Sequence, residues 1–191
     1  MKSLNLILGL FVTFLFVGFT YAQGGDDNDD THTVTITVPA VALVDIEPSG
    51  SKDISLTFTH STEAGDPLTA PAANTSLWLN YSSIKDAENV TRTVSVKIGA
   101  LFPGVDIKVL AAADAGNGDG TMGTVAGLLT LTTTDQTIIS GIGSCYTATG
   151  VSNGHNLSYT MVGGTTGAAS YADFTSVTQS AVTVTYTISD I

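Results

Sequence analysis

Residues 181–189 read AVTVTYTIS, and residues 32–38 read HTVTITV. In the first stretch Val182, Val184, Tyr186 and Ile188 alternate with Thr183, Thr185 and Thr187. In the second, Val34, Ile36 and Val38 alternate with Thr33, Thr35 and Thr37. A period of two is what a pleated strand imposes, because successive side chains point to opposite faces. Each stretch therefore predicts a half-buried strand with one apolar and one hydroxylated face, and the two strands sit near opposite ends of the chain.

Working inward, the same alternation recurs. It runs through Ile54, Leu56 and Phe58; Leu77, Leu79 and Tyr81; Val94, Val96 and Ile98; Val105, Ile107 and Val109; and Leu129 with Leu131. Ile138 and Ile139 predict a short strand over 136–142, and Leu157, Tyr159 and Met161 a longer one. Clusters of Gly, Pro, Asn and Asp separate these runs, and no stretch carries a helical period. The expected fold is all-β, an immunoglobulin-like antiparallel β-sandwich of about nine or ten strands. No unit of solenoid or propeller length repeats.

Three finer expectations follow from the sequence. Val34, Ile36, Val38, Ala40, Ala42, Val44 and Ile46 hold even positions, and beyond Pro39 the odd positions Val41 and Leu43 become apolar too. This predicts one long strand broken near Pro39, edge-like before it and buried on both faces after it. A turn is expected over 48–53, and the small, glycine-rich stretch 111–127 reads as a loop or irregular edge.

Composition sets the compartment. Residues 1–22 combine a basic start at Lys2, an apolar run over 4–19 and a small-residue end at Ala22, the plan of a cleaved secretory signal. The run is short for a membrane span, and no membrane insertion is expected once it is removed. A lipoprotein signal needs a cysteine at the new N-terminus, whereas the one cysteine is Cys145. Residues 23–31 form an acidic leader with little to pack, expected to be disordered, and 32–191 are left as a single sandwich domain. The expected address is secreted or cell surface.

The whole chain carries a net charge of −11, and removing 1–22 takes away one of six basic residues and none of seventeen acidic ones. Nothing resembles the basic stripe that nucleic acid or an anionic membrane surface requires. A lone cysteine forms no internal disulfide, so the core alone is expected to hold the fold, and Cys145 reads as a small buried residue, with a reactive thiol or an intermolecular bridge as the alternatives.

Residues suited to catalysis are sparse. His32, His60 and His155 have no ligand-spaced partners, and no zinc-protease, phosphate-loop or nucleophile-elbow motif is present. No catalytic residue, metal site or cofactor is assigned, and the chain reads as a non-enzyme. The loop 114–123, DAGNGDGTMG, comes nearest to a metal motif. Asn117, Asp119 and Gly120 match part of a calcium loop, but Asp114 is out of register and the distal glutamate is missing. A tight turn using positive φ at Gly116, Gly118 and Gly120 is the competing reading. Asp26, Asp27, Asp29 and Asp30 of the leader are a weaker calcium candidate, without a shaping loop.

Trp78, the one tryptophan, lies between Leu77 and Leu79. If Leu77, Leu79 and Tyr81 face the core, Trp78 shares the outer face with Asn80, where an aromatic beside an amide can stack on a sugar. The alternative is a buried Trp78. Trp78, Asn80 and Tyr81 are thus candidate ligand-binding residues. Asn74, Asn80, Asn89 and Asn156 each begin a glycosylation sequon, as chance produces in a Ser/Thr-rich chain.

The segments VTITVPAVALVDIEP (34–48), GHNLSYTM (154–161) and VTVTYTIS (182–189) resemble secreted fimbrial-type β-sandwich subunits, the spore-coat-U and chaperone-usher pilin group. The ending also resembles WxL cell-wall-binding domains. Members of the pilin group often carry a disulfide and WxL domains two tryptophan motifs, neither of which this chain supplies. The pilin resemblance implies that Val34, Ile36 and Val38 form a donor strand completing a neighbour's sandwich. The expected function is an exported structural or adhesive subunit of a surface filament or matrix, with a second copy or another surface protein as partner. The alternative is a monomeric extracellular carbohydrate-binding module whose partner is a glycan.

Overall fold

A computed structural model describes residues 29–86, 88, 91–163, 170–176 and 181–191. The chain divides into two compact units, Met1–Thr37 and Val38–Ile191. The expected signal segment, most of the acidic leader and Asn89 lie outside the described residues. In the first unit, residues 29–37 carry no strand and are all exposed.

The second unit is all-β, with two antiparallel sheets, as the alternation predicts. Its strands are β1 (Val41–Glu47), β2 (Asn74–Ile84), β3 (Arg92–Ile98), β4 (Val105–Asp114), β5 (Asp119–Gly120), β6 (Thr124–Val125), β7 (Leu129–Thr130), β8 (Gln136–Ile142), β9 (Cys145–Tyr146), β10 (His155–Gly163) and β11 (Val184–Asp190). The first sheet has the order β5-β9-β2-β10-β4-β7, with β1 along the other side of β2. The second has the order β11-β3-β8-β6.

Period-two patterning explains which side chains meet between the sheets. In β3, Arg92, Val94, Val96 and Ile98 are buried while Thr93, Ser95 and Lys97 are not; in β10, His155, Leu157, Tyr159 and Met161 repeat the arrangement. Of these, Val94, Val96, Ile98, Leu157 and Tyr159 pack with Leu77, Leu79 and Tyr81 of β2 and Val109 of β4 in one core. Each fully buried Val, Leu or Ile contributes about 2 kcal/mol relative to exposure. Strand β8 departs from strict alternation. Val94 pairs with Ile139 and Ser95 with Thr137, so Ile138 is an extra residue. That bulge lets Ile138 and Ile139 both enter the core, each with no exposed surface.

Three expectations are corrected. Residues 33–38 alternate but form no strand, because alternation describes side chains whereas a strand also needs a backbone partner. Strand β1 is not buried on both faces. Lying at a sheet edge, it turns Val44 and Ile46 to the core and leaves Leu43 66% exposed. The run Ile54, Leu56 and Phe58 is not a strand either, although all three side chains are half-buried while Ser55 and Thr57 are exposed. Ile54 and Leu56 pack on the core, and Phe58 meets Phe174 edge-on at 5.3 Å. The nearest bridge is Thr59 with Thr69.

Candidate functional site

The residues expected to assemble are strongly exposed large apolar groups. Val34 is 68%, Ile36 81% and Val38 71% exposed. Among the described residues, two seven-residue strands lie at sheet edges, β1 paired with β2 alone and β11 paired with β3 alone. The remaining edge strands β5, β6 and β7 are two residues long, which itself limits edge-to-edge pairing. Strand β1 carries a charged guard: Asp45 accepts from Lys52 Nζ at 2.6 Å, and that bond holds its carboxyl below the usual range. Strand β11 presents Thr185, Thr187 and Ser189 outward, with charge only at its last residue, Asp190. It is the long edge without a central charge.

Trp78 and Asn80 share the outer face of β2, and Tyr81 faces the core. Trp78 is half-buried. Asn80 is 5% exposed, and its Nδ2 donates to the Gly150 carbonyl at 2.9 Å. The Tyr81 ring is equally buried, so the three residues form no common platform. Asn80 and Tyr81 both line a groove of about 510 Å³ that also runs along Leu43, Asp45, Ser82 and Tyr146. Trp78 is not part of its lining.

Within loop 114–123, the acidic groups are engaged in local turns. Asp114 Oδ1 accepts from Gly116 N at 2.8 Å, Asp119 Oδ1 from Gly120 N at 2.7 Å, and Asn117 Nδ2 donates to the Ser152 carbonyl and Asn153 Oδ1. Gly116 and Gly120 have φ of 80° and 98°, as the turn reading requires. Gly118 serves differently: its φ is not positive, but a Cβ there would stand 1.9 Å from the Tyr146 carbonyl oxygen. No three His, Cys, Asp or Glu side chains converge among the described residues.

A group that sequence reasoning passed over lies inside the same end of the sandwich. His155 is 1% exposed; its Nδ1 is 2.9 Å from the Ala112 carbonyl and its Nε2 2.8 Å from Tyr81 Oη. Tyr81 Oη is 2.5 Å from the Met122 carbonyl, and the two rings stack at 5.5 Å. Burial lowers the His155 pKa, opposed by the bond to Ala112 and the charge of Asp114. Burial raises that of Tyr81, reinforced by Cys145 and Asp114. Cys145 is buried as expected, and its thiol is pushed up to about 11 by burial and by Asp114. The signal for His155 was present: it shares inward parity with Leu157, Tyr159 and Met161.

No helix among the described residues is long and apolar enough to cross a membrane. No family model, curated protein or solved structure matches the chain.

Proposed function

We propose that this protein is an exported, non-enzymatic structural or adhesive subunit whose sandwich, immunoglobulin-like in connectivity, assembles by strand addition. Residues 33–38 of one copy supply the added strand, and the signal-like pattern of residues 1–22 supports assembly outside the cell. The observation that carries this reading is a pairing of exposures. Val34, Ile36 and Val38 lie open to water, while the seven-residue β11 has, among the described residues, a ladder partner on one side of its backbone only.

The energetics favour occupation of both. Burying three such side chains contributes about 2 kcal/mol each, roughly 6 in total before ordering costs. That is comparable to the net stability of a whole domain, about 5–15 kcal/mol. An edge strand with alternating Val, Tyr, Ile and Thr offers backbone groups and a matching pattern of side chains to an incoming TVTITV segment.

Light scattering across a concentration series, on intact protein and on a variant lacking residues 31–38, tests this. Concentration-dependent assembly that the deletion abolishes, and that Ile36→Asp weakens, is the expected result. A deletion variant that still polymerises overturns it. So does an intact protein that stays monomeric throughout, which would leave the outer face around Trp78 as the surface to search.

A further inference from the structure

The bonds around His155 contain more acceptors than a neutral imidazole can serve. The Ala112 carbonyl only accepts, so the His155 Nδ1 facing it at 2.9 Å carries a proton. That leaves Nε2 of the neutral ring as a lone pair, 2.8 Å from Tyr81 Oη. Oη also stands 2.5 Å from the Met122 carbonyl, which again only accepts. The single phenolic proton thus has two claimants. A proton on Nε2 removes the conflict: Nε2–H donates to Oη, and the phenolic O–H is free for the Met122 carbonyl.

We propose that the Tyr81 hydroxyl is a proton-controlled strap. With His155 neutral, it donates to Nε2 and leaves the Met122 carbonyl unheld. With His155 charged, it turns to that carbonyl and fastens residues 121–123 to β2. The strapped segment joins β5 to β6, edge strands of the two sheets; Thr121 is already bonded through its backbone to Gly143 and Ser144, and the hydroxyl adds a tie from Met122 to β2.

The surroundings set where the switch operates. From β2 the ring faces Tyr81, from β4 Asp114, and Cys145 of β9 lies beside Tyr81. Asp114 Oδ2 is buried with no hydrogen-bond partner, so its charge favours the imidazolium. Burial of the ring opposes it and is the larger effect, which moves the switch below the ordinary histidine range. The inference does not depend on strand-addition assembly.

Carbon and nitrogen NMR on the intact, isotopically labelled protein tests it, titrated from about pH 8 down to about 4. The His155 ring and the Met122 carbonyl carbon are expected to shift with one midpoint below 6.5, the ordinary histidine value. In Tyr81→Phe the ring still titrates and the Met122 carbonyl does not follow; in His155→Gln that carbonyl is insensitive to pH. A Met122 carbonyl that stays constant while His155 titrates overturns the strap. So does a carbonyl that moves equally in Tyr81→Phe, or a His155 that stays neutral to the lowest pH.

Discussion

Arg92 Nε donates to Asp190 Oδ1 at 2.5 Å, joining the first residue of β3 to the last residue of β11. The pair is lopsided: the Arg92 side chain is 4% exposed and that of Asp190 49%. The rest of the guanidinium reaches the opposite sheet. Its Nη1 donates to the carbonyls of Val41 and Ile84 and to Ser83 Oγ, so one side chain ties β1, β2, β3 and β11 together.

Arg92→Met is therefore expected to cost about 2–4 kcal/mol, because it removes a buried donor from the part-buried carbonyls of Val41 and Ile84 and from the buried Ser83 hydroxyl. Asp190→Asn is expected to cost about 1 kcal/mol or less, since a half-exposed carboxylate is well screened. Urea unfolding of both variants, with unchanged m-values, checks the asymmetry; equal costs would place the worth of Arg92 in the ion pair.

Tyr159 of β10 and Tyr186 of β11 hold their hydroxyls 2.6 Å apart, across the two sheets. Removing one hydroxyl strands the other, so Tyr186→Phe is expected to cost about 1–2 kcal/mol. The double Phe variant should cost less than the sum of the single ones, read as a positive coupling in a double-mutant cycle.

Those tyrosines also predict alkaline behaviour. Burial pushes Tyr159 up to about 12, and it raises Tyr186 further. In the unfolded chain both ionise near pH 10. Their contribution is complete below that pH and is lost as pH rises toward the folded values. The urea midpoint should fall between about pH 10 and 12, and less steeply in the double Phe variant.

His155 has the opposite sign. Its folded pKa lies below the unfolded 6.5, so its contribution is complete above 6.5 and is lost as pH falls toward the folded value. The strap moderates this loss without reversing it. Midpoints measured from about pH 7.5 to 5 should decline in the wild type and decline less in His155→Gln.

Cys145 is 4% exposed, with its thiol raised to about 11. Native protein at about pH 8 should react with an aromatic disulfide at least ~100-fold more slowly than urea-unfolded protein. Comparable rates would show that β9 opens readily.

Much of the sandwich was legible because alternation is a local property. Residues 136–142 became β8, and β3 and β10 bury the side chains their parity assigns. The candidate surface was legible only in part. Parity sets Trp78 and Tyr81 on opposite faces of β2 and leaves a buried Trp78 as the competing reading; Trp78 is half-buried, and nothing nearby in sequence announces that Asn80 Nδ2 donates to the Gly150 carbonyl. His155 carried an inward parity, yet its importance comes from Tyr81, Ala112 and Met122, each 33 or more positions away.

The limits of local pattern are clearest where it misled. Residues 33–38 and the run from Ile54 to Phe58 alternate as well as β11 does, but only β11 has a ladder. A side chain's preference for one face follows from its own chemistry and the pleat, so the order of residues was enough to dictate an all-β chain and most of its core. Which backbone edge accepts which strand, where Ile138 bulges and which carbonyls meet Arg92 depend on contacts between distant residues. Those emerge only in the folded chain, because competing registers and partners share the same local alternation and differ in the packing and hydrogen bonds they complete.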